Sequence, residues 1–137
     1  MKLLKLLFLF LWQLPQNIIG AICSIRYEFY SVYFSKKGKI ISVCFKPWYK
    51  SAVSFGDTII MDTKYHTASA QVLYNSVYHE YGHQIQSKIL GPLYLILIGI
   101  PSLIGNLVFR SFNIPKKYYY KLPWEWWADK LGGVVRV

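Results

Sequence analysis

Residues 89–109 carry no charged side chain, and this run of 21 residues constrains the fold more than any other feature of the chain. A helix of about 20 apolar residues is enough to cross a bilayer. Pro92, Gly99, Pro101 and Gly105 interrupt the run, however, and favour a bend over a straight span. The run also separates two groups of polar residues, His79-Glu80-Tyr81-Gly82-His83 before it and Trp124-Glu125-Trp126-Trp127-Ala128-Asp129 after it. A single crossing would put those groups roughly 30 Å apart on opposite membrane faces. A hairpin turning at residues 99–102, with arms of about 15 Å, returns them to one face. The expectation is therefore a shallowly embedded apolar hairpin over residues 89–109.

Composition agrees with a lipid environment. Apolar residues make up 54% of the chain and charged ones 16%, against about 25% charged in ordinary soluble domains. The formal net charge of +10 suits nucleic acid or an anionic membrane surface. Lys and Arg are scattered around apolar segments and not gathered on one helix, so membrane lipid is the expected partner and nucleic acid is not. Arg110, Lys116, Lys117 and Lys121 surround Tyr118, Tyr119 and Tyr120, a mixture suited to lipid headgroups. The positive-inside tendency then puts the protein at the cell membrane with its functional face on the cytoplasmic side. Residues 1–23 begin with Lys2 and Lys5 around apolar side chains, break at Gln13, Pro15, Gln16 and Asn17, and resume at Ile18. They resemble a signal sequence in outline, but no A-x-A-like site follows, and a retained anchor is expected. Cys23 and Cys44 lack CxxC spacing and read as buried thiols.

The remainder predicts a single α+β domain. Residues 24–63 are rich in β-branched and aromatic side chains and predict a small antiparallel sheet of about three strands. Residues 26–34 and 40–45 form a hairpin around the basic Ser35-Lys36-Lys37-Gly38-Lys39, and Lys46-Pro47-Trp48 ends its second strand. Residues 54–61, with Gly56-Asp57 inside, form a third strand at an edge. Residues 67–90 form the central helix, with Leu73, Val77, Tyr81, Ile85 and Ile89 along one face. A short helix over residues 123–131 starts at Pro123 and stops at Gly132-Gly133.

Two histidines four apart on a helix project from one face and can converge on one cation. Glu80 points toward the same cleft, where it can take a proton from a water that zinc has made acidic. The short motif also arises by chance on surface helices, but two of the three histidines in the chain fall within it. His66 reads as a loop residue. Gly82 costs about 1 kcal/mol relative to alanine in a helix, so something, a strand or a substrate, should approach the backbone there. Catalytic zinc takes three protein ligands, and Glu125 is the candidate third. Asp129, one turn on, can accept a hydrogen bond from the second nitrogen of a ligand histidine. The alternative for Glu125 is an acid favoured by the helix dipole in a first turn.

His79-Glu80-x-x-His83 followed by Glu125-x-x-x-Asp129 resembles the gluzincin group of zinc metallopeptidases, closest to the HtpX-like and CAAX-prenyl-protease-like membrane members. The resemblance covers two short motifs and their order. It implies Zn2+ as cofactor, His79, His83 and Glu125 as its ligands, Glu80 as catalytic base, Asp129 as a residue supporting a ligand, and a peptide or protein substrate. It also implies an edge strand above the helix that binds extended peptide, a part that residues 54–61 would play. The chain is far shorter than those proteases, and no His or Tyr is assigned to stabilise an oxyanion. The alternative is a catalytically silent zincin-like membrane protein with a structural or interaction role.

Overall fold

The computed structural model describes residues 1–25, 30–47 and 51–136. Two N-terminal helices, α1 (Lys2–Trp12) and α2 (Leu14–Ile25), meet at an angle of 79°. Strands β1 (Tyr30–Lys36), β2 (Lys39–Lys46), β3 (Ala52–Phe55) and β4 (Thr58–Asp62) follow, then helices α3 (Ala70–Leu90), α4 (Ile100–Ser111), α5 (Lys116–Tyr119) and α6 (Pro123–Gly132). The class is α+β, as expected, and mostly helical.

The sheet is mixed and has four strands in the order β1-β2-β4-β3, which corrects the expectation of about three antiparallel strands. Strands β1 and β2 pair antiparallel through a two-residue turn, Lys37-Gly38, in which both residues have positive φ (49° and 75°). That conformation matches the twist of the flanking strands and favours glycine at the second position. Residues 54–61 are not one strand. Gly56, at φ 58°, turns the chain with Asp57, so that Phe55 pairs with Thr58 and β3 runs antiparallel to β4. Strand β4 then lies parallel to β2. Burial explains the order: Ile59, Ile60 and Met61 are wholly buried on both faces and require a central position, whereas β3 is half-buried and takes the edge. Residues 26–29 of the expected first strand, and Trp48 after the second, lie outside the described residues.

Ile41, Val43 and Phe45 of β2 and Ile59 and Met61 of β4 point to one face of the sheet, where Val77 of α3 completes the core. Leu73 and Tyr81 pack against it, so the first turns of the predicted ladder face the sheet, while Ile89 is exposed beyond its end. On the reverse face, Lys46 donates to the carbonyl of Cys23 in α2. Ser69 caps α3 by accepting from the Val72 N–H.

The apolar segment does not turn back at residues 99–102. Leu95–Ser111 is one continuous helix that begins with a π-helical stretch, Leu95–Gly99, just ahead of Pro101. Proline lacks an N–H and crowds the carbonyl four residues earlier, and widening the helix absorbs both faults without breaking it. The reversals lie outside the helix. Gly91, at φ 55°, ends α3, and Asn113, at φ 52°, ends α4 with the Ile114 N–H bonded to the Phe109 carbonyl. The chain then runs back along α4 until the Tyr119 hydroxyl reaches Ser102, 2.9 Å from its Oγ. Among the described residues no single helix is long and apolar enough to cross a membrane, although the bent α1–α2 pair passes that test jointly.

Candidate metal centre

Helices α3 and α6 cross in near backbone contact, and glycine makes this possible. A Cβ on Gly82 would meet the Ala128 carbonyl oxygen at 1.9 Å, and one on Gly132 would meet that of Tyr78 at 1.9 Å. The element approaching Gly82 is therefore α6 itself, and not the strand or substrate expected from sequence. Any side chain at either glycine would push the helices apart, because the opposing atoms are backbone.

That crossing lays Glu125 against both histidines. Glu125 Oε2 is 3.0 Å from His79 Nε2 and 3.3 Å from His83 Nε2. Two ligands on one tetrahedral ion with bonds of about 2.0–2.1 Å stand about 3.4 Å apart, so the spacing already approximates a chelate. Ligand atoms of His79, His83 and Glu125 all lie within 4.8 Å of one another, and these three buried residues could hold a metal ion.

Both rings are oriented through their second nitrogens. His79 Nδ1 lies 2.7 Å from Asp129 Oδ1, and His83 Nδ1 lies 2.7 Å from Gln86 Oε1. Both oxygens accept, which places a proton on each Nδ1 and turns each Nε2 toward Glu125. The Gln86 amide is itself fixed, donating to the Trp124 carbonyl at 2.8 Å. Arg136 donates to both Asp129 oxygens, at 2.5 and 2.8 Å, and its guanidinium lies 3.3 Å over the Tyr120 ring. The Tyr119 hydroxyl donates to Glu125 Oε1 at 2.7 Å, which holds the carboxylate so that Oε2 faces the histidines.

The electrostatics follow from burial and pairing. Burial alone would lower the His79 imidazolium, but its hydrogen bonds to Asp129 and Glu125 prevail and push it up to about 9. Glu125 is held well below the usual carboxylate range, the bonds to His79 and His83 overriding its desolvation. Glu80, also buried, is pushed up by desolvation, against the opposing pull of His83 and His79. Tyr120 packs edge-on to His79, with centroids 5.1 Å apart, and burial pushes its phenol up to about 12.

No protein family, curated protein or solved structure matches this chain. The geometry therefore stands by itself. The structure brings His79, Glu80, His83, Glu125 and Asp129 together, and leaves exposed His66 apart from them, its ring 4.6 Å from Phe45. Four supporting residues escaped sequence reasoning. Gln86 carried a signal, since it follows His83 by three and shares its helix face. Tyr119, Tyr120 and Arg136 lie on irregular or very short segments whose spacing to the motifs predicts nothing.

Proposed function

We propose that the protein is a membrane-associated zinc metallopeptidase that hydrolyses peptide bonds with zinc-activated water. One observation carries the reading: two imidazoles and a carboxylate converge with their outer atoms already tethered, and a fourth ionisable group, Glu80, lies buried beside them. Two imidazoles and one carboxylate are a donor set suited to zinc. Zinc bound there would polarise the scissile carbonyl and bring the pKa of a water near 7. Glu80, buried beside the histidines, would accept that proton and deliver it to the leaving amine. Asp129 and Gln86 keep the ligand lone pairs aimed inward, and Tyr119 keeps Glu125 from swinging away.

The apolar exterior supports the membrane part of the reading. Helix α1 buries no residue, and Leu103, Ile104, Leu107 and Val108 of α4 are exposed. We place these faces in one leaflet, with the basic Arg110, Lys116, Lys117 and Lys121 at the cytoplasmic headgroups. Burial of the metal cluster favours a second reading, a catalytically silent zincin-like protein, since His79, Glu80, His83 and Glu125 are each at most 6% exposed.

Metal analysis and hydrolysis of a quenched fluorescent peptide separate these readings. Glu80→Gln should keep one zinc per chain and lose about 10²- to 10⁴-fold in rate. Zinc with no hydrolysis by the wild type would support the silent protein, and absence of bound metal would remove the peptidase and leave the silent protein, which keeps the zincin-like helix with or without metal.

A further inference from the structure

Helix α4 is apolar on its exposed side but not on the side turned to the body of the molecule. Leu103, Ile104, Leu107 and Val108 are exposed, whereas Ser102, Gly105, Asn106 and Phe109 are half-buried, a stripe at spacings of three and four residues. A π-helical turn takes up one more residue than an α-helical one, so Leu95–Gly99 sets which side of the following helix faces inward. The stripe receives Tyr119. A Cβ on Gly105 would come within 3.4 Å of the Tyr119 ring, the Phe109 ring stands edge-on to it with centroids 5.7 Å apart, and Ser102 meets its hydroxyl. The lipid contact proposed for the rest of α4 does not use this serine.

The Tyr119 hydroxyl meets Glu125 Oε1 at 2.7 Å, Ser102 Oγ at 2.9 Å and the Ser102 carbonyl oxygen at 3.1 Å. A phenol has one proton to donate. The carboxylate and the carbonyl only accept and compete for it, and the shorter contact is to Glu125. With that proton directed to Glu125, the Ser102 hydroxyl is left to donate to the phenol oxygen. Donation therefore runs from Ser102 through Tyr119 to the outer oxygen of Glu125, whose inner oxygen faces His79 and His83. A hydroxyl that accepts one hydrogen bond becomes a better donor of the next. Without the serine hydroxyl, nothing opposes the phenol proton turning to the carbonyl of residue 102, which would leave Glu125 Oε1 without its donor.

We propose that Ser102 is a positioning residue of the metal centre, which acts through Tyr119 to hold Glu125 with one oxygen toward the ion. The assignment rests on Glu125 being a metal ligand, as in the peptidase reading, but does not require turnover.

The test measures metal binding by the full-length protein in phosphatidylcholine nanodiscs, with zinc in competition with a chelating dye and Co2+ as a spectroscopic probe. Ser102→Ala should lower zinc affinity about 10-fold and Tyr119→Phe about 100-fold, and each should alter the visible Co2+ bands, which report the ligand atoms. The double variant should bind no more weakly than Tyr119→Phe. Ser102→Thr, which keeps the hydroxyl, should retain wild-type affinity. Unchanged affinity and Co2+ bands in Ser102→Ala would overturn the proposal. So would a further loss of about 10-fold when Ser102→Ala is added to Tyr119→Phe, because the serine would then act by a route other than the phenol. A wild-type protein that binds no metal would remove this role together with the peptidase reading. The expected coupling in a protein that hydrolyses no peptide would leave Ser102 its role and remove only the peptidase reading.

Discussion

Helices α3 and α4 are close in sequence and opposite in character. Along its second half α3 buries polar and ionisable side chains, namely His79, Glu80, His83, Gln84, Gln86 and Ser87, whereas α4 leaves its apolar residues exposed and buries none. In water both arrangements are unfavourable. A buried polar group costs about 1–3 kcal/mol unless bonded, and an exposed leucine forgoes about 1.5–3 kcal/mol. In α3 the cost is offset by a network in which each ring nitrogen of the two histidines faces an oxygen. Among the described residues no element covers the exposed face of α4, an apolar patch of the kind that marks an interaction surface. The contrast separates two arrangements: α3 buries polar side chains in a bonded network that could hold an ion, and α4 leaves apolar side chains exposed.

The contrast can be broken most severely at the glycine crossing. Gly82→Ala sets a methyl group against the Ala128 carbonyl, which cannot yield without moving α6. It should destabilise the protein by about 3 kcal/mol or more in denaturant titration and abolish metal retention. Normal zinc content would show that α6 has more freedom than its contact with α3 implies. A nearly equal effect of a different kind is expected outside: Leu103→Asp with Leu107→Asp should weaken pelleting with vesicles about 100-fold, from two leucine side chains at about 1.5 kcal/mol each, yet leave zinc content intact. Loss of metal in that variant would mean that the exposed face supports the interior.

Smaller effects sharpen the description of the network. Asp129→Asn keeps the shape of the side chain but weakens the acceptor facing His79 Nδ1, and metal affinity should fall about 10-fold by competition with a chelating dye. The smallest effect is on pH dependence. His79 has its proton affinity raised from 6.5 to about 9, so its protonated pairing stabilises the metal-free fold fully below pH 6.5 and is lost as the pH rises through about 9. Zinc competes for that proton. The gain in melting temperature on adding zinc should therefore grow between pH 6.5 and 9, and a gain that shrank over the window would contradict the assigned pairing.

Legibility followed periodicity. The ladder Leu73, Val77 and Tyr81 and the spacing of His79 and His83 both depend on 3.6 residues per turn, a local property, and α3 lies where that period placed it. Strand β4 misled for a local reason as well: Ile59, Ile60 and Met61 show no alternation because both faces are covered, so nothing marked where β3 ended except Gly56-Asp57. Pro101 and Gly99 carried a real signal of irregularity, but a π-helical stretch satisfied it as well as a turn would have.

By itself the sequence determined which residues could coordinate an ion, that they belong to two helices, and that the surface would be apolar and basic. Each of these is written in residue type and short-range spacing. Only the tertiary structure decided that Gly82 and Gly132 face α6 and α3, that β4 enters the sheet beside β2, and that Tyr119, Gln86 and Arg136 complete the network. These depend on contacts between residues up to tens of positions apart, and such contacts are set by which faces close-pack, a condition on the whole molecule that no local pattern encodes.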